Sequence, residues 1–304
     1  MRDQRQEMEG EWLATRMPDE HFRRSSFIVR LFGDALFALI QIVGVGAFAS
    51  PLIVPQSPSG EALARSADAP LVLGVTLIGL FALLGVMRVN AKRIAVLGVL
   101  CAVNAVLRLA ATVVVPMPNG FSPMFLLFIL VGYAYGARFG FLFGAFSMLT
   151  SALATGGVGP WLPFQIFGAG WVGMSAGLLG TLGMQTGECR KRFSSFAIHH
   201  SKFDLVLLLP FGFVWGLLYG ALLNLYFWPL VDAGAGISWQ AGLGIGDALA
   251  RYAAFYVTTS LWWDLARAIG NVALLAGLGI PILRVLRRFG ERFQFEVMPV
   301  FETH

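Results

Sequence analysis

The chain has 304 residues, 57% of them hydrophobic and only 13% Asp, Glu, Lys or Arg, with a mean hydropathy of +0.72. Soluble domains carry roughly 25% charged residues, so a water-soluble fold of this length is excluded. Its apolar segments are continuous rather than alternating, which excludes a β-barrel and leaves an all-α polytopic membrane protein. The net charge of +5 comes from basic residues clustered at the ends of apolar segments. They report orientation and lipid contact, with no call for nucleic acid.

Residues 1–33 are polar and mixed in charge, without an apolar h-region, and read as a cytoplasmic tail rather than a cleaved signal peptide. About eight spans follow, near 34–54, 71–88, 94–115, 121–137, 139–155, 164–184, 204–229 and 252–281. The last is long enough to tilt or to begin as a surface segment. One side of the membrane receives Arg23, Arg24, Arg30, Arg88, Lys92, Arg93 and Arg138, then Arg190, Lys191, Arg192, Lys202, Arg284, Arg287, Arg288 and Arg292. The other side receives Arg65 and Arg251. The positive-inside rule therefore puts both termini in the cytoplasm. The connections 55–70, 116–120, 156–163 and 230–251 then face outward.

Spans four to six carry small residues at helical spacing: Gly132, Gly136, Gly140 and Gly144, then Ala169, Gly173 and Gly177. Such rows let helix backbones approach closely in lipid. No internal repeat stands out. Between spans five and six lies Gly156-Gly157-Val158-Gly159-Pro160-Trp161-Leu162-Pro163-Phe164-Gln165. So much Gly and Pro cannot be helix, and its apolar flanks hold it at the membrane face. It reads either as a tight connection or as a structured turn that closes over a small molecule with Trp161 and Gln165. An earlier outer turn, 116–121, offers Asn119 as a ligand amide or as a helix cap.

Charges inside spans are costly, by about 2.5–3.5 kcal/mol each at mid-bilayer. Arg108 lies in the outer half of span three. Ser260, Asp264, Arg267 and Asn271 are spaced to share one helix face that must turn into the bundle. They serve either as glue between helices or as a substrate or coupling site. In span seven, Asn224 and Trp228 share a face; Trp228, Trp239, Trp262 and Trp263 fit an interfacial aromatic belt. No catalytic engine is present: the chain has no GxxxxGK[ST], HExxH or GxSxG pattern. Cys101 and Cys189 form no CxxC site, and His199 and His200 read as a solvated loop pair, so neither a metal nor a cofactor is expected.

Together these residues resemble the substrate-binding (S) component of an energy-coupling factor (ECF) ABC transporter, over about 91–290. The resemblance is carried by Ala91 and Ala95 at the start of span three, the Arg108 span with Pro118-Asn119-Gly120-Phe121, and the stretch 136–145. It continues through the Gly156–Gln165 turn and Trp263–Asn271. It implies a six-helix core at 91–290, two accessory helices at 34–90 as in longer eight-helix members, and a cytoplasmic tail at 291–304. It further implies a non-catalytic subunit of a bacterial or archaeal cytoplasmic membrane. That subunit captures a vitamin-like solute from outside, and a membrane T component with two ABC ATPases drives release as the S component topples. The expected substrate contacts are Arg108, Asn119, Trp161, Gln165, Asn224 and Asp264, with Gly156, Gly157, Gly159 and Pro160 shaping the turn. Ala91 and Ala95 match the family's spacing for T-component contact, and Gly98 and Ala102 continue the row. The many Phe and Leu residues suit a bulky solute such as cobalamin or a related corrinoid. Two other readings of the residues stay open: a proton-coupled secondary transporter working through Asp264, and a non-transporting membrane assembly protein.

Overall fold

The computed structural model describes residues 20–53, 61–86, 91–111, 121–191, 198–234, 236–240 and 242–292. Both chain ends, residues 54–60 of the outer linker and the predicted turn 116–120 lie outside the described residues. Every regular element among the described residues is helical. The first five are α1 Glu20–Ile53, α2 Glu61–Val86, α3 Ala91–Leu109, α4 Met124–Tyr135 and α5 Ala137–Thr155. Then come α6 Leu162–Lys191, α7 Ile198–Phe227, a 3-10 turn Trp228–Leu230, α8 Ile245–Thr259 and α9 Leu261–Arg292. Stretches of α1, α5, α6, α7 and α9 are long and apolar enough to cross a membrane. Shorter apolar stretches, Pro70–Val86 and Met124–Tyr135, lie in α2 and α4.

Several boundaries differ from the sequence reading. Helix α2 begins at Glu61, inside the predicted connection 55–70, and α6 begins at Leu162, so the end of the Gly156–Gln165 run is helical after all. Helix α1 begins at Glu20, inside the stretch taken as tail. The turn between α4 and α5 falls at Gly136, not Arg138. There φ is +90°, a conformation an L side chain resists, so one glycine reverses the chain between two antiparallel helices. The single span expected over 252–281 is broken at Ser260. Just before the break the Thr258 and Thr259 hydroxyls bond back to the Ala254 and Phe255 carbonyls. Hydroxyls used this way compete with the helix ladder. The Ser260 carbonyl then accepts the Trp263 and Asp264 N–H groups at 3.0 and 3.1 Å, which starts α9.

Helix α4 is the centre of the bundle. It is apolar on every side, and every residue in it except Ala134 is buried. Around it α5 and α6 pack backbone to backbone. A methyl group added at Gly140 would overlap the Gly173 carbonyl, and one at Gly173 would overlap the Gly140 carbonyl. Small residues at this spacing thus do what they do elsewhere in lipid, where close van der Waals contact replaces a hydrophobic driving force. Helices α1 and α2 lie across α5 and α6. Phe37 meets Phe141 edge-on at 5.4 Å, Phe48 meets Phe164 at 5.1 Å, and Phe81 meets Phe146 at 5.6 Å. The Trp171 indole donates to Gln41 Oε1 at 2.7 Å, and Arg138 pairs with Asp34.

A second, smaller cluster caps the outer end. Trp228 is fully buried against Ala248 and Phe255, with Leu52, Trp239 and Tyr252 around it. Its indole donates to the Ile237 carbonyl at 2.8 Å. Trp228 is therefore a packing centre rather than part of a lipid-facing belt; its buried N–H has the partner such a residue needs. Trp262 and Trp263 are exposed, as a belt requires.

Candidate functional site

The sequence-selected residues fall on three kinds of ground. Arg108 stands at the outer end of α3, on the face turned to α5. Its Nη1 donates to Ser151 Oγ at 2.7 Å and approaches Met148 Sδ at 3.1 Å. An adjoining face of α3 carries Ala91, Ala95, Gly98 and Ala102, all exposed, and a methyl group added at Gly98 would meet nothing. Asn119 lies outside the described residues.

The turn at 156–161 is held by its own backbone. Gly156 takes a left-handed conformation, φ +67°, and ends α5, while the Gly157 N–H returns to the Ala152 carbonyl at 2.9 Å. This is a helix C-terminal arrangement that favours glycine. Trp161 folds back over Gly159 and its indole donates to the Gly157 carbonyl at 3.3 Å, leaving it 47% exposed. Pro160 sits between them. Gln165, in the first turn of α6, is half-buried, and its Oε1 is buried without a hydrogen-bond partner. Next to it Phe164 stacks on Tyr226 of α7 with 4.0 Å between centroids. Asn224 is half-buried near the outer end of α7.

Asp264 and Arg267 sit where α9 crosses α7. Asp264 is 2% exposed, accepts from Arg267 Nη1 at 2.6 Å, and rests on Gly220. Arg267 also donates to the Gly216 carbonyl at 3.2 Å, and Asn271 donates to the Gly212 carbonyl at 3.0 Å. Gly212 and Gly216 thus turn backbone carbonyls to the polar face of α9, and Gly220 leaves room for the Asp264 carboxylate. Ser260 falls in the turn before that helix, so it does not share the face. The Arg267 guanidinium lies over the rings of Phe125 and Tyr219, at 5.7 and 5.6 Å. The Tyr256 hydroxyl of α8 donates to the Leu217 carbonyl at 3.3 Å and stands beside Asp264.

Arg108, Gln165, Tyr219, Asp264 and Arg267 thus belong to the outer halves of α3, α6, α7 and α9. They supply cationic donors, a phenol, an amide and aromatic faces, which suits recognition of a small molecule. Among the described residues no group of three His, Cys, Asp or Glu side chains gathers to hold a metal. Outside the spans, Asp232 accepts from the Ser238 hydroxyl and the Gly234 N–H, and these bonds hold its carboxyl below the usual Asp range.

Two groups were not singled out in the sequence. The signal of Tyr219 was its place between Gly216 and Gly220 in span seven. At the inner end, Asp204 takes a bidentate contact from Arg287, 2.8 and 3.1 Å, and accepts from the Tyr133 hydroxyl at 2.7 Å. A lone carboxylate at the start of an apolar span, facing a basic helix end, was the available sign of that contact.

In comparison with known families, the model described as ECF transporter, substrate-specific component, matches residues 92–279. Comparison with curated proteins finds no match, and neither does comparison with solved structures.

Proposed function

The chain belongs to the substrate-specific components of ECF transporters, and from that membership we propose that it captures a vitamin-like solute at the outer face for ATP-driven uptake. It is a multi-pass membrane protein and the non-catalytic, substrate-binding subunit of an importer. Its family works with a T component and ATPases. In this reading two ABC ATPases hydrolyse the ATP, and the setting is a bacterial or archaeal cytoplasmic membrane. One observation carries the reading. The matched stretch begins in α3 and ends in α9, so it spans the bundle holding Arg108, Gln165, Asn224 and Asp264 and leaves out α1 and α2.

The exposed face of Ala91, Ala95, Gly98 and Ala102 supports docking of the T component, because small side chains let a partner helix approach and leave. The buried, ion-paired state of Asp264 favours a role in fixing α9 on α7 over proton coupling. A corrinoid remains the bulky member of the solute class, supported by the Phe and Leu content of the core. The test is native mass spectrometry of the purified chain. A stoichiometric small molecule that is lost on Gln165→Ala is the expected result. A chain that carries no solute and gains no thermal stability from a vitamin panel overturns the proposal.

A further inference from the structure

We propose that the inner end of α9 binds the phosphate of an anionic phospholipid in the inner leaflet, held by Arg284 and Arg288.

The depth of these residues follows from the two ends of the helix. Trp262 and Trp263 open α9, are 70% and 51% exposed, and mark the outer interface, where indoles settle. An α-helix rises about 1.5 Å per residue and the hydrocarbon core is about 30 Å thick, so about 20 residues cross it. Counted from Trp263, the inner headgroup layer begins close to Leu283. The helix does not stop there; it runs on past Pro281 to Arg292. Arg284, Val285, Arg288 and Phe289 therefore stand at the level of the lipid phosphates and glycerol, between hydrocarbon and bulk water.

These turns of α9 have two faces. One is fastened to the bundle. Leu283 and Leu286 are buried, the Leu286 carbonyl accepts from the Tyr135 hydroxyl at 2.9 Å, and Arg287 forks onto Asp204. The other faces out. Arg284 and Arg288 are exposed and one turn apart, so their guanidiniums can converge on one group. Neither makes a hydrogen bond or an ion pair among the described residues. Glu291, a turn further from the hydrocarbon, pairs with neither of them there. Val285 and Phe289, 51% and 48% exposed, form the neighbouring row.

That pairing of rows selects its ligand. The apolar row lies against acyl chain and glycerol, and the two guanidiniums meet a phosphate, whose oxygens match their forked donors bidentately. A lipid with net negative charge is preferred, because the quaternary ammonium of phosphatidylcholine offsets its phosphate. An acidic protein segment would satisfy the arginines but gives no account of exposed Val285 and Phe289 at headgroup depth.

The experiment uses the full chain in nanodiscs of phosphatidylcholine mixed with phosphatidylglycerol, with retained lipid read by native mass spectrometry. Phosphatidylglycerol should be retained at least about fivefold above its share of the bilayer, a preference that weakens as salt is raised. The double variant Arg284→Gln, Arg288→Gln should bring retention down to the bilayer share at unchanged Tm, since neither side chain touches the bundle and Arg287 stays in place. Inorganic phosphate should not displace the lipid; displacement would assign the arginines to a free anion and overturn the proposal. Retention at the bilayer share in the parent, or an undiminished preference in the double variant, also overturns it. If the parent shows no lipid preference while the double variant loses a co-purifying ATPase module, the arginines serve an acidic protein partner and the lipid site is refuted.

Discussion

Gly220→Ala tests whether the buried charges of α9 form a fixed contact with α7. A methyl group on residue 220 would overlap both carboxylate oxygens and the carboxyl carbon of Asp264. The α7 backbone cannot retreat one turn away, because Gly216 already lies on the Ala268 backbone and its carbonyl is held by Arg267. Relief comes either by parting the two helices or by rotating Asp264 off Arg267, which gives up the 2.6 Å pair. Overpacking costs about 1–3 kcal/mol, and breaking a buried pair costs about 3–5 kcal/mol. The cheaper route sets the cost, so the expected loss is about 1–3 kcal/mol. At roughly 2–4 °C per kcal/mol for a chain of this size, Tm should fall by about 2–12 °C. Thermal unfolding in detergent, followed by tryptophan fluorescence, measures it. A double variant with Asp264→Ala removes the overlapped carboxylate, so it should unfold no earlier than Asp264→Ala alone. If Gly220→Ala unfolds within about 1 °C of the parent, or the two changes simply add, the packing described for α7 and α9 is wrong.

Other perturbations separate packing from partner contact. Gly136→Ala forces a side chain into a conformation reserved for glycine, so it should destabilise the α4–α5 hairpin by about 1–3 kcal/mol, read as a lower Tm. Asp204→Asn removes the bidentate acceptor of Arg287 and should cost about 1–3 kcal/mol, with faster amide exchange at the inner ends of α4 and α9. Gly98→Leu projects into open space on α3, so Tm and solute binding should hold while co-purification with the T component drops. Loss of folding in that variant would count against the exposed face. The Asp232 carboxyl is depressed by its bonds to Ser238 and Gly234, relative to an ordinary value of 3.8. Its ordering of the 232–238 turn is therefore complete above that value and lost as pH falls through the depressed one. Hydrogen exchange of the turn should rise only at such acid pH, and Asp232→Asn should abolish the dependence.

Much of this arrangement was legible in the residues because the bilayer leaves few options. A backbone in lipid must satisfy its own hydrogen bonds, so apolar stretches become helices and glycine rows become contacts. That is why Gly140 and Gly173 could be named before they were seen to touch. What failed to show was direction within local motifs. The Gly156–Gln165 run read either as a tight connection or as a closure over a ligand, and composition did not show that the Trp161 indole donates to the Gly157 carbonyl. Trp228 looked like a belt residue because its acceptor at Ile237 comes from an irregular segment with no periodic signal. The Ser260 break was hidden because Thr and Ser are tolerated in helices until their hydroxyls turn back on the backbone.

These contacts also bear on how a chain with charges in its spans could change orientation in the bilayer, as the proposed release step requires. Exposing a guanidinium or carboxylate to hydrocarbon would be prohibitive. Here Arg267 and Asp264 face one another across a 2.6 Å bond, Arg108 is held by α5, and Asn271 is bound to the Gly212 carbonyl. All of these contacts are internal to α3–α9, so a tilt of the whole body would leave them intact. The opposite is true of the small-residue face of α3, which lies outside every one of these contacts. A partner can grip that face and turn the body without first breaking a buried ion pair. In the proposed release step the interior charges therefore favour a rigid motion, and the exposed row of Ala91, Ala95, Gly98 and Ala102 is the surface proposed for the partner's grip.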